Sequence, residues 1–429
     1  MQNLQRLQAA YRSGAYDEQL LALYGCGPEE VPAYRSRIVS AMDAFRAFSP
    51  DSAEVALFSA PGRTEIGGNH TDHQHGIVLA ASVQLDMLAV AAKKPGQGIR
   101  IRSDGYPAFE IDLNDLSVRQ EERNSSRAIV RGIAARFAEE GCPVDGFDAY
   151  VTSNVGRGSG LSSSAAFEVL IATIVNHLYD GGRRGPVELA QFGQYAENVY
   201  FGKPSGLMDQ TASAYGGLVM IDFAKPEQPA IRHLSFDFAA HGYALCMVDS
   251  GADHANLSDE YATIPGDLAA VCRFLKCEYL RDADEAEFYR LLPEIRRVAG
   301  DRAVLRAIHV FEENRRAVGE YEALQREDVD GFLQLVLASG RSSFMYLQNV
   351  VPGGNRRHQA LAVTLALCDR ALDGTGAFRV HGGGFAGTAL VFVPRERLDG
   401  FRRFVNGALG REAVHPLSIR QTGGAPLPM

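Results

Sequence analysis

Residues 154–180 read NVGRGSGLSSSAAFEVLIATIVNHLYD, a glycine-serine loop that runs into an almost wholly apolar helix. The residues before it, FDAYVTSNV (147–155), are strand-like, so the glycines lie between a strand and a helix N-terminus. Glycines let backbone N–H groups approach an anion closely, and the first helical turn adds unpaired donors and a favourable dipole. The stretch therefore predicts a phosphate-binding loop.

The serines of this loop add hydroxyl groups that can cap the helix or ligate Mg²⁺. The alternative is a flexible turn with serine caps, which the strand before it and the apolar helix after it make less favourable. We assign to ATP binding Gly156, Gly158, Gly160, Leu161, Ser162, Ser163 and Ser164.

Two common nucleotide motifs are excluded by the residues that come after the glycines. No Walker A lysine comes after the loop, so an ordinary P-loop is ruled out. The glycine-rich string GGGFAG (382–387) is followed by strand-like TALVFV, where a dinucleotide-binding motif requires a helix. Another kind of nucleotide fold is required.

The composition is that of an ordinary soluble protein. The chain has 429 residues, 46% of them hydrophobic and 22% charged, with a formal net charge of −9. The length predicts two domains, and no strongly basic segment points to nucleic acid. The six cysteines lack CxxC spacing, which favours reduced thiols over disulfides or zinc sites. Without a signal-peptide core or an apolar run of about 20 residues, the protein is expected to be cytoplasmic and independent of membranes.

The hydrophobic periodicity divides the chain into two parts. Residues 1–52 are predicted to form a helical N-terminal extension, and VALFSAPGR (55–63) reads as a strand that ends in a Pro-Gly turn. The proline-bearing stretch at 225–229 suggests a boundary. We therefore predict an N-terminal domain over residues 1–224 and a C-terminal domain over residues 225–429.

Five segments together resemble the galactokinase branch of the GHMP small-molecule kinases. They stand in the family's order and with family-like spacing: PGRTEIGGNHTDHQHG (61–76), GSGLSSSAA (158–166), AENVYFGKPSGLMDQTASAYGG (196–217), HANLSDEY (254–261) and GGGFAG (382–387). The resemblance implies an α+β fold with two domains, an N-terminal domain like domain 2 of ribosomal protein S5 and a ferredoxin-like C-terminal domain. It also implies that ATP phosphorylates C1 of a sugar, most simply galactose.

The resemblance assigns the catalytic and metal-binding roles. Asp209 matches the base that accepts the proton of the sugar hydroxyl, and Arg63 matches the arginine that lowers its pKa and steadies developing charge. Glu197 and Ser164 match the Mg²⁺ ligands. Taken alone, Glu197 would read as an exposed helical glutamate.

The same resemblance assigns the substrate contacts. The sugar-binding residues it implies are Asn69, His70, Asp72, Gly206 and Tyr261. Gly383 and Gly384 are added to the ATP site. The implied partners are the sugar and ATP, with neither nucleic acid nor membrane, and the protein is expected to be a monomer, with a dimer as the alternative.

The sugar motif departs from the family pattern. The acidic residue that the family places before the first histidine is Asn69 here, the family's asparagine two residues past the arginine is Glu65, and the usual aromatic after Asp72 is His73. An asparagine tolerates a hydroxymethyl or a carboxylate at C6, whereas a glutamate repels the latter. A sugar altered at C6, such as galacturonate, is therefore an alternative substrate.

Two alternatives come from other functional classes. His70, Asp72, His73 and His75 have spacings that suit Zn²⁺, which would suggest a metal-dependent hydrolase, although no distant third ligand cluster is evident. A non-catalytic sugar- and ATP-binding regulator is the other possibility. The presence of Asp209, Arg63 and Glu197 argues against it, because binding alone needs no base.

Overall fold

The computed structural model describes residues 1–156, 160–203, 205–252, 257–354 and 357–429. The strands are β1 (Gln2–Asn3), β2 (Glu54–Gly67), β3 (Ile77–Lys93), β4 (Ile99–Ser103), β5 (Phe109–Ile111), β6 (Phe147–Ser153), β7 (Leu218–Asp222), β8 (Ala230–Leu234), β9 (Tyr243–Asp249), β10 (Ala377–His381), β11 (Thr388–Pro394), β12 (Val414–Leu417) and β13 (Ala425–Pro426).

The helices are α1 (Leu4–Arg12), α2 (Asp17–Tyr24), α3 (Val31–Phe48), α4 (Ser126–Glu139), α5 (Ser163–Tyr179), α6 (Pro186–Tyr195), α7 (Met208–Tyr215), α8 (Ser258–Leu275), α9 (Glu285–Arg290), α10 (Leu292–Ala299), α11 (Asp301–Gln325), α12 (Val329–Ser342), α13 (Ala360–Leu372) and α14 (Leu398–Leu409). Two π-helical segments continue α6 and α12, Ala196–Phe201 and Ser343–Leu347. No helix in the described ranges combines the length and apolar character of a membrane span.

A nine-stranded sheet forms the first half of the molecule, with β1-β2-β3-β6-β4-β5 as its main path. The long strand β3 pairs with β7 along its first residues and with β6 along its last. Because successive residues of a strand face opposite sides, Phe58 and Ala60 pack under α4–α7, whereas Val55 and Leu57 pack under α1–α3. The N-terminal helices thus cover the second face of this sheet.

A four-stranded antiparallel sheet, in the order β10-β11-β9-β12, forms the second half. Along the chain its elements follow a strand-helix-strand-strand-helix-strand pattern, with α8–α13 in the first connection and α14 in the second. This is the ferredoxin-like arrangement. The expected α+β fold with two sheets is therefore present, and a shared core that includes Leu161, Leu218, Met247 and Leu390 joins the two halves.

Three local features differ from the sequence predictions. Strand β2 does not end at Pro61-Gly62 but continues to Gly67, because a register shift between Pro61 and Arg63 accommodates the proline within the strand pairing. The β7–β8 hairpin extends the large sheet to Leu234, past the division predicted at residues 224 and 225. Strand β13 returns from the C-terminal end to pair with β2.

Candidate active site

An ion pair between a buried arginine and a half-buried aspartate lies where β2, the glycine-serine loop and α7 meet. Arg63 donates from Nε to Oδ1 of Asp209 at 2.6 Å, and Ser162 donates its hydroxyl to Oδ2. Asp209 stands in the first turn of α7, where the helix dipole favours a negative charge. Burial acts to raise the pKa of Asp209, but the Arg63 guanidinium and the Ser162 hydroxyl hold it below its ordinary value. Asp209 is therefore an ionised carboxylate with a fixed orientation.

The glycine-serine loop is held close against both halves of the molecule. Gly160 (φ +74°) lies so near the second half that a Cβ would stand 2.6 Å from Thr388 Oγ1. Its carbonyl accepts a hydrogen bond from Arg63, and the Leu161 carbonyl accepts one from the Arg63 N–H at 3.0 Å. Ser162 has left-handed backbone (φ +54°), after which α5 begins at Ser163. Gly156 precedes the gap in the described residues, and Gly158 lies outside them.

A pocket of about 650 Å³ opens beside the start of α5. Its lining combines polar groups, among them Ser163, Ser164 and Glu197, with aromatic and aliphatic groups that include Phe109 and Ile129. A concave site with both kinds of lining beside a helix N-terminus suits a nucleotide, which has an aromatic base and charged phosphates.

Acidic and amide side chains from three elements meet where Glu168 and Glu197 line the pocket. Gln210 of α7 donates from Nε2 to Oε2 of Glu168 at 2.9 Å and to Oε2 of Glu197 at 3.1 Å. Lys203 places its ammonium 3.1 Å from Oε1 of Glu197. The wider turn of the π-helical segment Ala196–Phe201 presents Glu197 at this point. Glu168, Gln210 and Lys203 were not singled out from the sequence, although Gln210 is the neighbour of Asp209.

This group of side chains fits a divalent cation that binds together with a nucleotide. The buried Oε1 atoms of Glu168 and Gln210 have no hydrogen-bond partner among the described residues, so the site offers unused oxygen acceptors beside Glu197 and Ser164. The described residues contain no cluster of three or more His, Cys, Asp or Glu suited to a metal ion. Mg²⁺ needs no such cage, because it binds through one or two carboxylates, water and phosphate oxygens.

The residues expected at the sugar lie at the junction of the two halves. The Asp72 carboxylate lies directly against the α-carbon of Gly206, where a side chain would overlap it. His70 forms a 3.0 Å hydrogen bond with the Gly383 carbonyl, and Tyr261 donates its hydroxyl to the Gly384 carbonyl at 2.9 Å. The two glycines expected at ATP thus contact the residues expected at the sugar.

Asn69 does not occupy the position expected of it. Its side chain is fully buried, and its amide donates to Glu65 Oε1 at 2.9 Å and to the Gly382 carbonyl at 2.7 Å. Its Oδ1 accepts from Asn349 at 2.9 Å and from Ser343 at 3.3 Å. The donors and acceptors of the Asn69 side chain are used within the protein, so this geometry gives no support to a contact with the sugar. It gives no support either to the argument for a C6-altered sugar, which depended on that contact.

The exchange of acid and amide in the sugar motif is explained by a buried charge network. Glu65 pairs with Arg379 of β10, and Glu313 of α11 pairs with Arg316 at 2.6 Å. Burial raises the pKa of Glu65 to about 7, against the pull of Arg379. Glu313 also accepts a hydrogen bond from the Asn69 N–H. The hint in the sequence is the departure of residues 65 and 69 from the family pattern, since apart from each other their partners are more than 200 residues away.

The histidines of the motif do not converge as metal ligands. His70 and His73 share a 3.3 Å contact between Nδ1 and Nε2, while the His75 ring stacks on Tyr279 with 3.5 Å between ring centroids. Burial and the neighbouring His73 lower the pKa of His70 to about 3, so its ring is neutral. The geometry therefore gives no support to a zinc hydrolase.

Two family models match the chain. The galactokinase galactose-binding signature matches residues 43–93, which include Arg63 and the sugar motif. The GHMP kinases N-terminal domain matches residues 128–217, which include the glycine-serine loop and Asp209. Between them they cover most of the residues that meet at the site.

Relatives match over most of their length. A galactokinase of Streptomyces coelicolor is 32% identical over 82% of this chain and 88% of its own, and one of Actinobacillus pleuropneumoniae is 30% identical over 82% and 89%. The crystal structure of Lactococcus lactis galactokinase complexed with galactose superposes with a TM-score of 0.78 at 23% identity, covering 90% of this chain and 99% of that one. The chain therefore belongs to the galactokinase family of GHMP kinases.

Proposed function

We propose that this protein is a galactokinase, which transfers the γ-phosphoryl group of ATP to the C1 hydroxyl of galactose. The observation that carries the proposal is the Arg63–Asp209–Ser162 arrangement, which joins the sugar motif of β2 to the loop beside the nucleotide pocket. A carboxylate at this junction stands between the two substrates. Relatives at 30–32% identity that are named galactokinases support the choice of sugar.

Asp209 acts as the base that takes the proton from the attacking sugar hydroxyl. Its lowered pKa keeps it ionised at neutral pH, and the bonds from Arg63 and Ser162 leave it one orientation. Arg63 holds the carboxylate in place and adds positive charge near the transferring group. Phosphoryl transfer depends mainly on such positioning and charge neutralisation.

The remaining groups bind the two substrates. Backbone N–H groups and serines of the loop bind the ATP phosphates at the start of α5, and the apolar groups of the pocket lining contact the base. Glu197 and Ser164 hold Mg²⁺, which neutralises phosphate charge when bound. Asp72, the Gly206 backbone, His70 and Tyr261 contact the sugar.

The test is a coupled ADP-release assay with galactose and galacturonate, run on the wild type and on Asp209→Asn. We expect galactose to be strongly preferred in kcat/KM. The amide cannot accept the proton, so Asp209→Asn should lose about 10²–10⁴-fold in kcat. The control is Asp399→Asn on the exposed face of α14, which should match the wild type.

Other outcomes point to the alternatives. A preference for galacturonate would replace galactose with a C6-altered substrate. The absence of turnover with any sugar, in a protein that binds both ligands, would leave a non-catalytic regulator. Full activity of Asp209→Asn would contradict the assignment of the base.

A further inference from the structure

The acidic groups of the site call for more positive charge than Arg63 provides. Asp209, Glu197 and the ATP phosphates are all anionic, and charge spreads over the transferring phosphoryl group in the transition state. Arg63 already donates from Nε to Asp209 and from a terminal nitrogen to the Gly160 carbonyl. Two of its five guanidinium N–H groups therefore serve the protein, and a second cation beside the phosphates would add to the charge that Arg63 supplies.

Lys203 is attached to Glu197 by both its backbone and its side chain. The N–H groups of Gly202 and Lys203 donate to the Glu197 carbonyl at 2.9 and 3.1 Å, and the ammonium returns to Glu197 Oε1 at 3.1 Å. The lysine side chain is 59% exposed, whereas the Glu197 side chain is 5% exposed. The ammonium therefore lies on the exposed side of a carboxylate that lines the nucleotide pocket. Its charge also acts on Asp209, whose pKa it helps to lower.

The two oxygens of Glu197 have different partners. Oε2 accepts a hydrogen bond from the buried Gln210 amide, which is fixed by Glu168. Oε1 has the exposed and flexible Lys203 ammonium. A cation that binds Glu197 therefore competes with Lys203 for Oε1 more easily than with Gln210 for Oε2. A lysine on a flexible stem can then turn its charge to the nearest anion, which is the phosphate chain.

We propose that Lys203 is a catalytic cation, which neutralises Glu197 before MgATP binds and moves to the transferring phosphoryl group when Glu197 takes the metal. The proposal rests on the kinase function proposed above. The Lys203 ammonium then has two successive partners, first the Glu197 carboxylate and afterwards a phosphate of ATP. Removing the ammonium therefore has opposite effects on metal binding alone and on nucleotide binding.

The experiment compares Lys203→Met, Lys203→Arg and the control Lys225→Met, which lies in the exposed turn between β7 and β8. Mn²⁺ binding without nucleotide is followed by electron paramagnetic resonance, and binding of a non-hydrolysable ATP analogue with Mg²⁺ by calorimetry. For Lys203→Met we expect Mn²⁺ to bind several-fold more tightly and the analogue about tenfold more weakly. The control should match the wild type in both.

Steady-state kinetics supply the third measurement. Lys203→Met should lose about 10²–10³-fold in kcat, as for removal of one charge-stabilising donor, with the KM for galactose unchanged. Lys203→Arg, which keeps the charge, should recover part of the loss. Unchanged Mn²⁺ and nucleotide binding in Lys203→Met, or losses that track a fall in its melting temperature, would overturn the proposal.

The two proposals fail in different ways. If the wild type phosphorylates no sugar, the kinase function fails, while the opposite shifts in metal and nucleotide binding still test Lys203. If the wild type is active and Lys203→Met retains its kcat, the assignment of Lys203 fails and the kinase function remains.

Discussion

Gly67, at the end of β2, lies directly against a buried carboxyl group. A Cβ at this position would overlap Oε2 of Glu320 on α11, and the Glu320 side chain is fully buried. Neither oxygen of Glu320 has a hydrogen-bond partner in the described part of the chain. Burial, reinforced by the neighbouring Glu313, raises the pKa of Glu320 well above its ordinary value. The glycine leaves the space that this acid fills.

We expect Gly67→Ala to destabilise the protein by about 1–3 kcal/mol, because the added methyl group overpacks a site from which Glu320 cannot swing away. Glu320→Ala removes the obstacle, so the double variant should be more stable than the sum of the single effects predicts. Urea unfolding of all four proteins measures the coupling. Gly407→Ala, at a position with open space on α14, is the control and should not destabilise.

Strictly additive effects at Gly67 and Glu320 would contradict the prediction. The predicted coupling arises from one contact, between a Cβ at position 67 and Oε2 of Glu320. No change in the pairing of β2 with β3 is therefore expected.

At the scale of elements, one amide holds three parts of the active site together. Gln210 on α7 bridges Glu168 on α5 and Glu197 on the π-helical segment, and it is the next residue after Asp209 in the chain. Two buried carboxylates side by side would repel each other without this shared donor, and burial together with Glu197 raises the pKa of Glu168. The amide therefore sets the orientation of Glu197 relative to the base.

Gln210→Ala should raise the Mg²⁺ concentration needed for half-maximal activity by about 10–100-fold, the usual effect of losing a group that orients a metal ligand. Mn²⁺ binding measured by paramagnetic resonance should weaken in parallel. Gln191→Ala on α6 is the control, because that amide donates its hydrogen bonds to the β7–β8 turn. Unaltered metal affinity in Gln210→Ala would mean that Glu197 is oriented by other contacts.

At the scale of the molecule, Asp86 of β3 gathers distant segments around one carboxylate. Arg37 of α3 and Arg420, near the C-terminal end, both pair with it, and Tyr24 donates its hydroxyl at 2.9 Å. The Asp86 N–H also donates to the Asn154 side chain at 2.6 Å, which connects the cluster to the start of the phosphate loop. These contacts bind the N-terminal helices and the C-terminal segment to β3.

Asp86→Asn should cost about 3–5 kcal/mol at pH 7, because it leaves the buried Arg420 and the half-buried Arg37 without their anion. Although burial raises the pKa of Asp86, the arginines hold it below its ordinary value. The stabilisation it provides is therefore present above the unfolded-state pKa of about 3.9 and is lost as the pH falls through the lower folded-state pKa. The difference in unfolding free energy between the two proteins should be constant above about pH 4 and should narrow as the pH falls below that value.

Urea unfolding between pH 3 and pH 8 measures this dependence. Tyr24→Phe is a milder variant that keeps the charges and removes one hydrogen bond to a charged group, at a cost of about 1.5–3 kcal/mol. A difference between Asp86→Asn and the wild type that did not change with pH would argue against an ionised Asp86.

The elements that the sequence predicts well are those defined by local patterns. The apolar run after the glycine-serine loop forms α5, and the periodic stretch of the N-terminal extension forms α1 and α3, because helical hydrogen bonds and apolar stripes repeat within a few residues. The prediction that β2 ends at Pro61 was wrong, because the effect of this proline depends on a register shift against β3 that local sequence does not show. The membership of β8 in the large sheet is not visible locally either, because it depends on pairing with β7.

The chemical groups of the site can be named from the motifs alone, since these supply a phosphate loop, an aspartate, an arginine and a glutamate in a recognisable order. Which of these groups meet depends on the tertiary fold. Arg63 and Asp209 are 146 residues apart, and Glu65 meets Arg379 across 314. The tertiary fold also buries the Asn69 side chain and brings the Lys203 ammonium into contact with the Glu197 carboxylate. Contacts of this kind depend on how sheets and helices close upon one another, and no short-range pattern in the chain encodes that closure.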